Sequence, residues 1–129
     1  MSLRPVLVVD DDPDLALFLV DVLASFGVHC DVVGDGETAL RVVRQIRPSL
    51  VLLDMHLPGL SGRELVSRLK AYDDTRAIPV VGMSSLGRLE NAQNALQAGC
   101  DTFLLKPFGL DELADALRTY LPLNPTDYA

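Results

Sequence analysis

Seven residues of this chain stand where short apolar runs stop, and all of them can handle charged oxygen. Asp10-Asp11-Asp12 follows Val6-Leu7-Val8-Val9, and Asp54 follows Leu50-Val51-Leu52-Leu53. Ser84-Ser85 follows the run Ile78 to Met83, and Lys106 follows Thr102 to Leu105. Carboxylates gathered in one place repel one another and shift their pKa values upward unless a cation lies between them. Oxygen-only ligands at a wet edge suit Mg²⁺, which keeps some of its waters and takes one or two carboxylates. Lys106 would add a positive point charge and Ser84 a hydroxyl donor, and both are useful only beside an anion near Asp54. A phosphoryl group meets that description. With metal and lysine neutralising charge, an aspartate carboxylate can attack phosphorus and carry an aspartyl phosphate.

Taken singly, each residue has a plainer explanation. Asp12, directly before Pro13, reads as a helix N-cap. Ser84 alone is an ordinary strand-end hydroxyl, and Lys106 alone a solvated side chain. Asp10 and Asp11 have little packing reason to be adjacent at a strand end. Cys30 and Cys100 lie far apart without metal-ligand spacing, and read as buried free thiols of a reducing compartment. It is the convergence of the strand ends that carries the chemistry.

Convergence needs a particular architecture. The apolar runs are Val6–Val9, Cys30–Val33, Leu50–Leu53, Ile78–Met83 and Thr102–Leu105. They alternate with segments of helical period, which is the mark of βαβ units and a parallel sheet covered on both faces. Leu15, Phe18, Leu19, Val22, Leu23 and Phe26 form one stripe, ended by Gly27. Ala39, Val42, Val43 and Ile46 form a second that stops at Pro48, and Leu65, Val66 and Leu69 a third. The third is opened by Ser61 with Glu64 three residues on, a capping box. The segment Arg88–Ala98 has only Leu89, Ala92 and Leu96 on its inner side, and is expected to be the loosest helix. The last helix, Leu110–Leu121, carries Leu113, Ala114, Leu117 and Tyr120, and Pro122 and Pro125 forbid its continuation. The expected fold is α/β: a single-domain, doubly wound (βα)5 arrangement over residues 4–121, with 122–129 as a tail. Such sheets bind ligands at the carboxyl ends of their strands.

Composition sets the bounds. A chain of 129 residues fits one domain, and 49% apolar with 22% charged residues belongs to a water-soluble globular class. A net charge of −7 argues against direct nucleic-acid binding, which works through clustered Lys and Arg. No segment approaches the roughly 18 apolar residues of a membrane helix and no signal peptide opens the chain, so no membrane role and a cytoplasmic address are expected. Met1-Ser2-Leu3 reads as a cloning remnant, which would make the chain a piece of a longer protein.

The four strings around Asp10-Asp11-Asp12-Pro13, Leu53-Asp54-Met55-His56-Leu57-Pro58, Met83-Ser84-Ser85 and Phe103-Leu104-Leu105-Lys106-Pro107 closely resemble the receiver domain of two-component response regulators. The resemblance covers about residues 4 to 121. It implies a flavodoxin-like five-stranded parallel sheet of order 2-1-3-4-5, an order given for the chemotaxis member of this family. It also implies that Asp54 is the phosphoacceptor, with Mg²⁺ held by Asp11, Asp54, the backbone carbonyl of His56, and Asp10 through water. Ser84 resembles the switch hydroxyl, Lys106 the lysine that pairs with the phosphoryl group, and Phe103 the switch aromatic; the Lys106-Pro107 bond is expected to be cis. His56 and Leu86 occupy the positions that tune phosphoryl loss, His56 being read as a rim residue and not as a phosphorylated histidine.

This chain departs from the family's commoner pattern in Ser84 for threonine, Ser85 for alanine, and Gly82 for a larger apolar residue that would firm its strand. Phe103 lacks the hydroxyl of the tyrosine variant. The resemblance further implies a sensor histidine kinase or histidine phosphotransfer protein as donor, and an output protein or tethered effector domain as recipient. The output surface would be the face of helix Arg88–Ala98, the last strand and the last helix, on a monomer or a phosphorylation-dependent dimer. A receiver excised from a hybrid kinase or a transcriptional regulator is the nearest alternative. A haloacid-dehalogenase-type phosphatase using Asp10 is a remote one, because Asp14 stands where that family places Thr or Val. A flavodoxin-like FMN carrier would need a Ser/Thr/Gly-rich phosphate loop where the three acids stand.

Overall fold

A computed structural model describes residues 4–85, 93 and 96–123. The apolar runs become the parallel strands β1 (Val6–Val9), β2 (Cys30–Val33), β3 (Leu50–Asp54), β4 (Val80–Ser85) and β5 (Thr102–Lys106). They form a five-stranded sheet in the order β2-β1-β3-β4-β5. Helices α1 (Pro13–Ser25), α2 (Gly36–Ile46), α3 (Gly62–Ala71) and α4 (Leu110–Arg118) lie on its faces.

Because successive side chains of a strand point to opposite faces, the continuous apolar runs feed two separate cores. Val6, Val8, Leu50, Leu52, Val81 and Met83 pack with Leu19 and Leu23 of α1 and Leu113, Ala114 and Leu117 of α4. Leu7, Val9, Val51, Leu53 and Val80 pack with Ala39 and Val43 of α2 and Leu65, Val66 and Leu69 of α3. β1 and β3 are buried throughout, so their register is held on both faces.

The elements differ from expectation in several places. β4 begins at Val80 and not at Ile78, since Ile78 is still in a turn, its N–H donating to the Thr75 carbonyl. The strand then runs on through Ser84 and Ser85, which pair with Leu105 and Lys106. On α1, Ala16 is buried with Leu19 and Leu23, whereas Phe18 is 41% and Leu17 62% exposed. α4 closes at Arg118, where the N–H groups of Tyr120 and Leu121 both turn back to the Leu117 carbonyl ahead of Pro122. The capping box of α3 is half formed: Ser61 Oγ accepts from Glu64 N at 3.1 Å, while the Glu64 carboxylate lies 3.9 Å from Arg68. Most of Arg88–Ala98 and the tail from 124 onward fall outside the described residues; 93 and 96–98 are helical. Among the described residues no helix is long and apolar enough to cross a membrane.

Candidate functional site

β1 and β3 are neighbours with Val9 beside Leu53, so Asp10 and Asp54 emerge abreast at the carboxyl edge of the sheet. Both are nearly enclosed, 3% and 6% exposed, whereas Asp11 faces solvent. One carboxylate oxygen from each of the three lies within 4.8 Å of the others. β5 delivers the countercharge: Lys106 Nζ donates to Asp10 Oδ2 at 3.2 Å and stands 3.7 Å from Asp54 Oδ2.

Backbone groups fix the two enclosed acids. Asp12 N donates to Asp10 Oδ1 at 2.8 Å, and His56 N donates to Asp54 Oδ1 at 2.9 Å. Burial pushes the Asp10 carboxyl above the ordinary carboxylate range; the Asp12 N–H and Lys106 pull it back, and Asp54 adds to the rise. Three carboxylates against one lysine leave an excess of negative charge on oxygen donors at a half-open edge. That donor set fits a small hard cation of the Mg²⁺ kind.

Asp12 is occupied elsewhere. Its Oδ1 accepts from Asp14 N at 3.0 Å and Leu15 N at 3.4 Å, the N-cap of α1. The literal Asp-any-Asp pattern of Asp10 and Asp12 is therefore not a pair of facing catalytic acids. α3 begins against the peptide of Asp54 itself: a Cβ on Gly62 would lie 2.6 Å from Met55 Cα and 2.7 Å from the Asp54 carbonyl oxygen. Only a glycine allows this approach.

Ser84 is fully buried in β4, and its Oγ lies 2.8 Å from Nε2 of the half-buried His56 ring. Reading the sequence placed His56 at the site rim and did not anticipate this contact. The signal is the β3–β4 register, Asp54 beside Met83, which brings a residue just past the end of β3 beside one within β4 and is invisible in linear spacing.

Phe103, half-buried, pairs with Gly82 across β4 and β5 and packs on the α2–α3 side of the sheet. A Cβ on Gly82 would lie 3.1 Å from Met55 Sδ and Cys100 Sγ and 3.4 Å from Phe103 Cδ2. The space left by Gly82 is thus filled by its neighbours. The Lys106-Pro107 bond is cis. Leu86 lies outside the described residues. Cys30 and Cys100 are free and belong to opposite cores; burial pushes both thiols up to about 12. Beside Lys106, an open hollow of about 510 Å³ is lined by Asp12, Leu15, Phe18, Ser85, Pro107 and Phe108.

Comparison with known proteins agrees with this geometry. The family model for the response regulator receiver domain matches residues 6–118. Sporulation initiation phosphotransferase F of Bacillus subtilis is 38% identical over 124 residues, 96% of this chain and 98% of that protein. The DNA-binding response regulator MtrA of Mycolicibacterium smegmatis is 39% identical over 124 residues, and there the chain spans about half of the relative's length, 53%. Among solved structures, the receiver domain of a Pseudomonas aeruginosa sensor histidine kinase, with a magnesium ion coordinated in its active-site cleft, superposes with a TM-score of 0.84 at 28% identity. The match covers 92% of this chain and 98% of that one. With its sheet order, its strand-end acids and these relatives in agreement, the chain belongs to the response regulator receiver family and is a receiver domain of two-component signalling.

Proposed function

We propose that Asp54 accepts a phosphoryl group from the phosphohistidine of a sensor histidine kinase or histidine phosphotransfer protein, or from a small acyl phosphate. The observation that carries this reading is the position of its carboxylate, nearly enclosed yet grouped with Asp10 and Asp11 and 3.7 Å from Lys106. In the transfer, an Asp54 carboxylate oxygen attacks phosphorus while the bond from phosphorus to the donor nitrogen or oxygen breaks. Lys106 faces the oxygens on which charge develops, a role in which preorganised charge is effective. Asp11, Asp54, the His56 carbonyl and, through water, Asp10 would hold Mg²⁺, which when bound supplies further neutralisation of phosphoryl charge. The protein is read as catalysing only its own phosphorylation and dephosphorylation, with His56 and Leu86 tuning the lifetime of the product.

The product then acts on the fold. Ser84 and Lys106 donate to the new oxygens, and hydrogen bonds to a charged group contribute roughly 1.5 to 3 kcal/mol each. Moving a two-state equilibrium from 1:99 to 99:1 takes about 5.5 kcal/mol, so two or three such contacts are of the right size. Withdrawal of Ser84 gives Phe103 room to turn inward and remodels the face of the 88–98 segment, β5 and α4, the proposed output surface. The hollow beside Lys106, lined also by Asp12 and Ser85, supports approach of a macromolecular donor at this edge.

The near-complete coverage of a sporulation phosphotransferase supports a role as a relay member, with residues 4–121 as the domain and 122–129 as its tail. The half-length match to a DNA-binding regulator supports the second reading, a receiver tethered to an effector domain. Incubation with acetyl phosphate and Mg²⁺ tests the acceptor chemistry by intact mass. The wild type gains one phosphoryl group, and Asp54→Asn or added EDTA abolishes the gain; a gain that survives Asp54→Asn would refute the assignment.

A further inference from the structure

The contact between His56 and Ser84 has no part in the transfer itself, yet it engages the one hydroxyl that the phosphorylated state needs. Ser84 Oγ has no exposure, and His56 Nε2, 2.8 Å away, is its hydrogen-bond partner among the described residues. His56 N donates to Asp54 Oδ1, which fixes the backbone from which the imidazole reaches over. A buried hydroxyl stripped of its partner is destabilised by its full desolvation cost. Whatever partners Ser84 before phosphorylation therefore determines how readily it leaves.

We infer that His56 is a latch: its imidazole holds the Ser84 hydroxyl in the unphosphorylated state, and phosphorylation exchanges this partner for a phosphoryl oxygen. The inference rests on Asp54 as acceptor. A ligand shifts a two-state equilibrium only through its differential affinity for the two states. Removing the imidazole weakens the resting state, where Ser84 needs it, and leaves the phosphorylated state, where Ser84 has a new partner, largely untouched. His56 in this role is a positioning residue, acting through Ser84 on the cost of switching.

The test is calorimetric binding of beryllofluoride, a tetrahedral phosphoryl mimic, to the whole chain in Mg²⁺, for wild type, His56→Leu, His56→Gln and Ser84→Ala, and for His56→Leu combined with Ser84→Ala. His56→Leu, which keeps bulk and removes both ring nitrogens, is expected to bind about tenfold tighter than wild type, the size of one lost buried hydrogen bond. His56→Gln, which restores a polar group of similar reach, is expected to return affinity to within about twofold of wild type. In the Ser84→Ala background His56→Leu is expected to change nothing, the mark of a coupled pair. Unchanged or weaker binding by His56→Leu overturns the latch, as does an equal tightening without Ser84. Absence of binding by the wild type would instead overturn Asp54 as acceptor, and the latch with it.

Discussion

Asp10 carries the electrostatic cost of this site. It is nearly buried beside Asp54, and although Lys106 and the Asp12 N–H offset part of the penalty, its carboxyl stays above the ordinary range because of burial. An acid whose folded-state pKa is raised stabilises the fold below its unfolded pKa and loses that contribution as pH rises through the folded value. Ionised Asp10 therefore lowers stability at neutral pH. Asp10→Asn is predicted to raise the melting temperature in metal-free buffer at neutral pH, with the gain shrinking as pH falls toward about 4, the unfolded aspartate range. Thermal melts with EDTA at the two pH values check this, and an equal gain at both would remove charge as the cause. Asp10, Asp11, Asp54 and Lys106 were legible as a site because each is a charged residue within two positions of the end of an apolar run. The ring of His56 was not, because its partner stands 28 positions away and only strand register brings the two together.

Among the elements, the proposed acceptor Asp54 depends on where α3 starts. Gly62 lets the first turn of that helix rest on the Asp54–Met55 backbone, at separations no Cβ can tolerate. Gly62→Ala forces that backbone or the helix to move, and overpacking of this kind costs typically 1–3 kcal/mol. The predicted result is a loss of about that size in chemical denaturation, together with slower phosphorylation of Asp54; an alanine variant as stable and as fast as wild type would show that the contact relaxes freely. The strands could be placed from their apolar runs, and the four described helices from their periodicity. The offset of β4 could not, because the apolar pair Ile78-Pro79 extends the run backward into a turn while the polar Ser84 and Ser85 are full members of the strand. Phe18 misled for a related reason: it has the right spacing for the core stripe, yet it lines the hollow beside Lys106. Its type records a surface, not a core.

For the whole molecule, a doubly wound sheet with two cores brings four strand ends to one edge, and the fold class follows from that alternation as directly as the site does. What alternation does not encode is the balance of charge at the edge, which depends on distances between residues from different strands. Oxygen donors of Asp10, Asp11 and Asp54 within 4.8 Å predict that Mg²⁺ stabilises the fold by mass action, by about 2.7 kcal/mol at a hundredfold excess over its Kd. Titration of the melting temperature with MgCl₂ would show this rise in the wild type and its loss in Asp11→Ala; an undiminished rise in the variant would place the cation elsewhere. The measurement that bears most directly on the central claim is chemical mapping of the phosphorylated chain. Borohydride reduces an aspartyl phosphate to homoserine, which tandem mass spectrometry locates by residue. Homoserine is expected at position 54 alone after treatment with acetyl phosphate and Mg²⁺, and homoserine at position 10 or 11, or phosphate retained on His56, would contradict Asp54 as the acceptor.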